Sequence, residues 1–363
     1  MPAEDLSSAA LALPPRVPLR GEALGRPALA ALGAALVDRT WLLGVDRWFW
    51  GEGVALTGIA HFHAAAGEAD GAEGAPAVRA WVEARLSPQL RVEHVNDLAP
   101  GLAALAVDED GSLRGRLAPL VAWALGEGGA TRGRGGVIEH WPGSVWADTM
   151  YMAGAFLARY GAGSGDGSVL DEAGRQLVLH AGELQQERSG LFAHGAYGGA
   201  TIWSLWGRAN AWAALAAVEY LEAARQLPSD RATVAEVEER LVRQLGALAG
   251  LLPAHGVYDV LVDGQPETAG ILETSATAGI GAAMLRAARL LPGLDDVAAA
   301  GRRAAAGALA YVDPGGALTR VSAGTVLQLV PFGYSVIRDD LPQLWGQGLA
   351  LEAVAALLGE DGA

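Results

Sequence analysis

The chain contains no cysteine and no lysine; all 26 of its basic residues are arginine. Lack of cysteine excludes disulfides, thiol nucleophiles and thiolate-held zinc. Lack of lysine excludes Schiff-base chemistry, a lysine general base and a Walker-type phosphate loop. Charge of either sign is scarce, at 18% of residues, and it is unbalanced: the net charge is -15 and the pI is near 4.9. So acidic a surface repels nucleic acid and anionic membrane, and neither is an expected partner. An acidic sugar stays admissible where one pocket concentrates Arg or His. No uninterrupted apolar run reaches membrane-spanning length, and no basic segment followed by an apolar stretch opens the chain. A soluble cytoplasmic protein is the expectation.

What the chain does have is apolar surface, with 51% of its 363 residues hydrophobic, enough for one large core. Apolar residues recur at three- and four-residue spacing in twelve segments, near 23–39, 51–67, 74–87, 97–107, 115–127, 146–161, 168–186, 207–226, 229–249, 273–290, 295–310 and 342–358. Ala, Leu and Arg dominate them, and all three favour helix. Strand-like alternation is confined to 311–338, where 317–322 and 326–330 read as short extended pieces. Twelve helices joined by Gly- and Pro-rich loops suit six helical hairpins closed into a ring, an all-α (α/α)6 barrel. An open helical solenoid is the competing architecture. The expected division is an N-terminal arm over 1–20 and a single barrel domain over 21–363.

Alternate segments carry polar or aromatic residues at their N-terminal ends: Trp50 and Glu52; Asn96 and Asp97; Asp148; Trp206, Arg208 and Asn210; Glu273 and Ser275; Trp345 and Gln347. In a ring of hairpins these ends open on one mouth. Helix capping accounts for Asp97 and Asp148 singly, but not for Trp and Arg at the same ends.

Trp146-Ala-Asp-Thr-Met-Tyr-Met-Ala-Gly-Ala resembles the signature of the unsaturated glucuronyl and rhamnogalacturonyl hydrolases, glycoside hydrolase families 88 and 105. Three further stretches match in order: Gly190-Leu-Phe-Ala-His-Gly, Trp206-Gly-Arg-Ala-Asn-Ala-Trp and Glu273-Thr-Ser-Ala-Thr-Ala, with a looser match at Gly324-Thr and Trp345-Gly-Gln-Gly. The resemblance runs from about residue 45 to the end. It implies the six-hairpin barrel and removal of a 4,5-unsaturated uronic acid from the non-reducing end of an oligosaccharide, which is the expected partner. It implies hydration of the C4=C5 vinyl ether, so the carboxylate-spacing rule of ordinary glycosidases does not apply.

By the same resemblance Asp148 is the general acid and base. A helix N-terminus would lower its pKa; burial near Trp141, Trp146, Met150 and Met152, with a neighbouring carboxylate, would raise it, and the second influence is expected to win. Either Asn96 or Asp97 fills the second catalytic position, the register being ambiguous by one residue. His194 and, by a weaker match, His140 are expected beside the sugar. Arg208 is the expected ligand of the uronate, because a guanidinium pairs with a planar anion through two hydrogen bonds. Trp206 is expected at the mouth as a stacking platform, Trp212 as platform or core, Met152 as pocket wall, and Asn210 among the binding residues. Where the family favours Gly, this chain has Ala209 and Ala211, two methyl groups expected at the pocket wall. Asp295-Asp296 and Asp339-Asp340 do not extend into a DDxxD motif, and His61 and His63 have the wrong spacing for one helix face, so neither metal nor cofactor is expected. A sugar epimerase on the same barrel and a non-catalytic sugar-binding protein are the competing functions.

Overall fold

The computed structural model describes residues 15–67, 74–87 and 89–360. Most of the expected arm, residues 1–14, lies outside the described residues. The chain from 16 to 19 runs along the end of one outer helix, Arg16 donating its backbone N–H to the Tyr311 hydroxyl at 2.8 Å and Leu19 to Ala306 O at 3.1 Å.

The described residues form α1 (Arg26–Leu42), α2 (Trp50–Ala66), α3 (Ala75–Arg85), α4 (Ala99–Ala106), α5 (Arg114–Leu125), α6 (Phe156–Ser164), α7 (Gly167–Leu184), α8 (Gly207–Gln226), α9 (Arg231–Leu251), α10 (Thr274–Leu290), α11 (Asp295–Leu309), the single turn α12 (Phe332–Ser335) and α13 (Leu344–Leu358). Three short strands, β1 (Ser144–Trp146), β2 (Gly195–Tyr197) and β3 (Ala200–Ile202), form one small antiparallel sheet. All twelve segments expected from apolar spacing are helical, with ends displaced by a few residues. Helix α6 is entered through a π-helical stretch, Met150–Ala155, rather than as a regular helix.

Helices α2, α4, α6, α8, α10 and α13 each touch the next, and α13 returns to α2. This closes an (α/α)6 barrel and excludes the open solenoid. Helices α1, α3, α5, α7, α9 and α11 pack outside. The two rings differ as their positions require. Inner α8 is buried on every face from Gly207 to Leu221, whereas outer α9 buries only Val237, Leu241, Gln244, Leu245 and Leu248. Small residues bring the inner helices close: a Cβ on Gly58 of α2 would lie 2.3 Å from the Gly348 carbonyl oxygen of α13. No helix among the described residues is long and apolar enough to cross a membrane.

The inner helices run parallel, so their C-terminal halves meet at the end of the barrel away from Asp148. There Arg159 pairs with Glu219 and Glu222, and Arg286 reaches Glu219 (2.5 Å), Glu222 (2.8 Å) and Glu352 (3.5 Å). His61 lies 2.7 Å from Glu352. Three carboxylates against two guanidiniums leave one negative charge, which a protonated His61 balances. Burial works to lower the His61 pKa, but Glu352, through its charge and hydrogen bond, and Glu219 outweigh it and raise it. The stabilisation from charged His61 is therefore complete below the unfolded histidine's pKa and fades as pH rises through the raised folded one. His61→Gln is expected to lower the denaturant midpoint at about pH 6, with the deficit shrinking by about pH 9. A deficit that does not depend on pH would contradict the charge-balancing role.

Candidate active site

Strand β1 pairs with β2 in the register Ser144↔Tyr197, Val145↔Ala196, Trp146↔Gly195. The ladder continues one step beyond the strands, as Ala147 donates its N–H to the His194 carbonyl at 3.0 Å. This backbone clamp sets the residue after Ala147 beside the residue before Gly195: Asp148 Oδ2 lies 3.5 Å from His194 Nε2. Gly195 is required by the packing, since a Cβ there would sit 2.8 Å from both the Trp146 ring and the Val145 carbonyl oxygen.

Asp148 does not cap its helix; the cap position makes no side-chain hydrogen bond, and Asp148 Oδ2 has no partner among the described residues. About 14% of its side chain is exposed. Burial pushes its pKa up to about 7; Arg208, its own backbone N–H and the Trp212 indole temper the rise. The Trp212 N–H leans toward the carboxyl without completing a hydrogen bond of ordinary geometry. No carboxylate takes part, so the expected contribution from a second acid is absent: burial alone carries the shift.

The two candidates for the second position lie in the 3-10 turn Val95–Leu98, which places them differently. Asp97 Oδ2 accepts the backbone N–H groups of Glu93 and His94, both at 2.9 Å, and caps this turn. Asn96 is the buried member of the pair, and its side-chain amide makes no hydrogen bond among the described residues. Of the two residues the sequence left open, Asp97 is spent on the backbone of its own turn and Asn96 is the buried one. An amide, which can donate hydrogen bonds but carries no titratable proton, stands at the buried position.

His194 is wholly buried, and its Nδ1 lies 2.7 Å from the Tyr334 hydroxyl. Burial, with Arg208 nearby, holds its pKa down to about 3, so the imidazole is neutral and its 3.5 Å approach to Asp148 is not an ion pair. His140 stacks on Trp146, with centroids 4.4 Å apart, and its Nδ1 lies 3.0 Å from the Thr149 hydroxyl. Burial and the neighbouring histidines keep it neutral too. The sequence reading missed His94, whose ring lies 4.0 Å from Trp141 and 5.0 Å from His140 and so ties the Asn96 segment to the Trp146 loop.

Arg208 departs furthest from expectation. It is 1% exposed, and both terminal nitrogens are engaged. One reaches Glu273 Oε1 (3.0 Å), Ser322 O (3.0 Å), Ser322 Oγ (2.7 Å) and Ser275 Oγ (3.4 Å); the other reaches Ala323 O (3.0 Å) and Thr325 Oγ1 (3.3 Å). A two-pronged grip on a substrate carboxylate is thus already spent inside the protein. Only its Nε–H is unpaired. What Arg208 holds is the start of a strap, residues 322–343, which carries α12 and meets the His194 loop through Tyr334; the piece expected to be extended, 326–330, pairs in no strand.

Trp206 precedes α8 as expected, yet its ring is 1% exposed, between His194 (4.3 Å) and the Arg208 guanidinium (4.4 Å), so it is no mouth-side platform. Trp212 packs on Tyr151 at 5.0 Å in the core. Met152 is buried in the π-helical stretch below Asp148. Asn210 exchanges hydrogen bonds with the backbone of Phe192 (2.9 and 3.0 Å) and fixes the His194 loop to α8; it is a tether rather than a substrate contact. Ala211 faces Gly279 of α10 rather than the pocket, as a Cβ at Gly279 would lie 3.1 Å from its methyl. Ala209 is wholly buried. Among the described residues no cluster of His, Asp or Glu could hold a metal ion.

Five buried polar atoms in this one cluster lack partners: Asp148 Oδ2, His194 Nε2, Trp206 Nε1, Arg208 Nε and Trp212 Nε1. Buried polar groups are rarely left unpaired, and several together mark a binding site. Arg208→Met would strand Glu273 in the interior, at an expected cost of about 3–5 kcal/mol. The readouts are a lowered denaturant midpoint and new protease cleavage within 323–341. Unchanged stability with only a raised KM would instead make Arg208 a pure substrate ligand.

Comparison with known proteins bears on the family and the fold. The model of Glycosyl Hydrolase Family 88 matches residues 37–358. Unsaturated rhamnogalacturonyl hydrolase YesR of Bacillus subtilis (strain 168) is 29% identical over 347 residues, covering 89% of this chain and 93% of that protein. A crystal structure from Klebsiella pneumoniae, described as a possible member of the GH105 family, aligns with a TM-score of 0.82 at 25% identity over 95% of this chain and 96% of that one. The unsaturated glucuronyl hydrolase of Bacillus sp. GL1 shares the fold, with a TM-score of 0.68 at 20% identity over 91% of this chain and 95% of that one. The family match spans most of the sequence and the barrel is held in common, so the chain belongs to glycosyl hydrolase family 88 and is a glycoside hydrolase.

Proposed function

We propose that the protein removes a 4,5-unsaturated uronic acid from the non-reducing end of an oligosaccharide, with Asp148 as both general acid and general base, and that it does so in the cytoplasm. The observation that carries the reading is a carboxyl with a pKa of about 7 facing a cluster of buried, unpaired hydrogen-bonding groups. Such a carboxyl holds a proton at neutral pH and, once ionised, is basic enough to take one back.

Lone-pair donation from the ring oxygen into the C4=C5 bond makes C4 nucleophilic. Protonated Asp148 gives its proton to C4, and the cation at C5 is stabilised by the same oxygen. Water adds at C5 and loses a proton to ionised Asp148, which returns the enzyme to its starting state. The resulting hemiketal opens to a 5-keto sugar, and the hemiacetal formed at C1 releases the aglycone. Each step places charge on the substrate or on Asp148 alone, so no metal is called for. The Arg208 Nε–H and the two indole N–H groups are the donors left to the uronate. His194, neutral and 3.5 Å from Asp148, is placed to hydrogen-bond the ionised acid or a sugar oxygen.

An epimerase would need a second titrating partner opposite Asp148. His140 and His194 are both held neutral, and His140 is engaged with Thr149 and Trp146, so nothing favours that reading. A binding protein would gain nothing from a carboxyl tuned to neutral pH.

The vinyl ether absorbs in the near ultraviolet, and hydration abolishes the absorbance. Wild type is expected to bleach it, and Asp148→Asn to slow bleaching by about 10²–10⁴-fold. Because the protonated acid is the reactive form, kcat/KM is expected to fall as pH rises through about 7. A substrate consumed with its chromophore intact, or Asp148→Asn at near-full rate, would overturn the assignment.

A further inference from the structure

On the side of His194 away from Asp148 stands a residue that no motif singled out. Tyr334, on α12, is wholly buried, and its hydroxyl lies 2.7 Å from His194 Nδ1. The contact joins residues 140 positions apart, on the strap and on the sheet-bounded loop. The direction of this hydrogen bond can be read from its surroundings. The Gln328 backbone N–H, which can only donate, points at the same phenol oxygen from 3.5 Å. The Ser204 hydroxyl also leans on that oxygen; these two moderate the upward push that burial gives the phenol's pKa. With the Gln328 N–H on one lone pair, the phenol has its own proton left to give, and His194 Nδ1, at 2.7 Å, is the nearest acceptor within reach. A neutral imidazole that accepts at Nδ1 carries its single proton on Nε2.

We infer that Tyr334 is a positioning residue that fixes His194 as the Nε2–H tautomer, so that a hydrogen-bond donor, never a lone pair, faces Asp148. The inference rests on Asp148 acting as proton donor to carbon. The opposite tautomer would present a lone pair 3.5 Å from the acid and, without being protonated, compete with C4 as the acceptor toward which the acid's O–H points. An Nε2–H cannot compete; it steadies the carboxylate after transfer and releases it when the proton returns. The charged and titratable groups facing this pair are Arg208, His140 and Tyr334 itself. None of them offers Nδ1 a substitute donor in the structure. Tyr334 also anchors the strap that Arg208 holds at its start, so a strap in place and a correctly protonated His194 go together.

The test is the tautomer itself, read by long-range 1H–15N correlation on 15N-labelled protein, with the His194 signals identified through His194→Gln. Wild type should show His194 with a protonated Nε2 and an unprotonated, hydrogen-bonded Nδ1. Tyr334→Phe, which keeps the ring and deletes only the hydroxyl, should show mixed or reversed tautomers. Protonated Nδ1 in wild type, or an unaltered Nε2–H tautomer in a folded Tyr334→Phe, would overturn the inference. The wild-type measurement decides the first point even if the variant does not fold. On an unsaturated uronyl substrate, Tyr334→Phe should lower kcat by at least about tenfold, with KM changed less than about twofold; a change confined to KM would contradict a role in proton transfer. If the wild type bleaches no vinyl ether, the proposed reaction fails, whereas the tautomer result still stands or falls alone.

Discussion

A carboxyl withdrawn from water resists ionisation, and the rest of the site depends on how that withdrawal is arranged. Moving Asp148 from 3.8 to about 7 corresponds to roughly 4 kcal/mol between its two protonation states. That free energy opposes the charged form in the folded protein, so it is a cost carried for function rather than a source of stability. The backbone ladder of β1 and β2 keeps the side chain from swinging out to solvent, because Ala147 is bonded to the His194 carbonyl and the π-helical stretch follows at once. Local departures from regular helix are frequent at functional sites, and this one lets a single residue face the mouth while Met150 and Met152 remain core.

Around this carboxyl the structure spends its charge sparingly. The guanidinium of Arg208 works against burial and lowers the Asp148 pKa. Pairing with Glu273 and the carbonyls of the strap directs most of that charge elsewhere. The three site histidines His94, His140 and His194 all have lowered pKa values, chiefly through burial, and add no competing positive charge at neutral pH. Among these groups Asp148 is the one whose pKa is raised to about 7. The opposite end of the barrel works the other way, balancing opposite charges densely among Arg159, Glu219, Glu222, Arg286, Glu352 and His61 so that five inner helices are pinned together. The proposed proton chemistry and the barrel's charge network thus lie at separate ends.

Much of this was legible in the amino-acid sequence. The 3.6-residue apolar spacing located all twelve long helices, because in a helical barrel burial and helical period coincide. Some of the polar and aromatic residues at alternate N-termini meet, as the Trp50–Trp345 stack at 4.4 Å and the Arg208–Glu273 pair illustrate, whereas Gln347 is bonded to the backbone of Leu36, Gly316 and Leu318. What sequence concealed were roles set by partners distant along the chain. Arg208 reads as a free cation until Glu273, 65 residues away, is placed against it. Asp97 and Asn96 differ by one register step, which only the backbone of the Val95–Leu98 turn resolves. Tyr334 lies in a segment whose apolar residues suggest strand, yet Val326, Leu329, Val330 and Phe332 are exposed and the chain there forms a strap. No periodicity encodes a side chain that dips from such a strap to a histidine 140 residues earlier.

The central claim is that burial alone holds Asp148 half-protonated at neutral pH, and the most direct measurement is the titration of that one carboxyl. Carbon-13 NMR of protein labelled at aspartate side-chain carboxyls, compared with Asp148→Asn, isolates its signal. The account predicts one aspartate titrating near pH 7 that vanishes in the variant. An Asp148 signal that titrates near the ordinary aspartate value of 3.8 would contradict it.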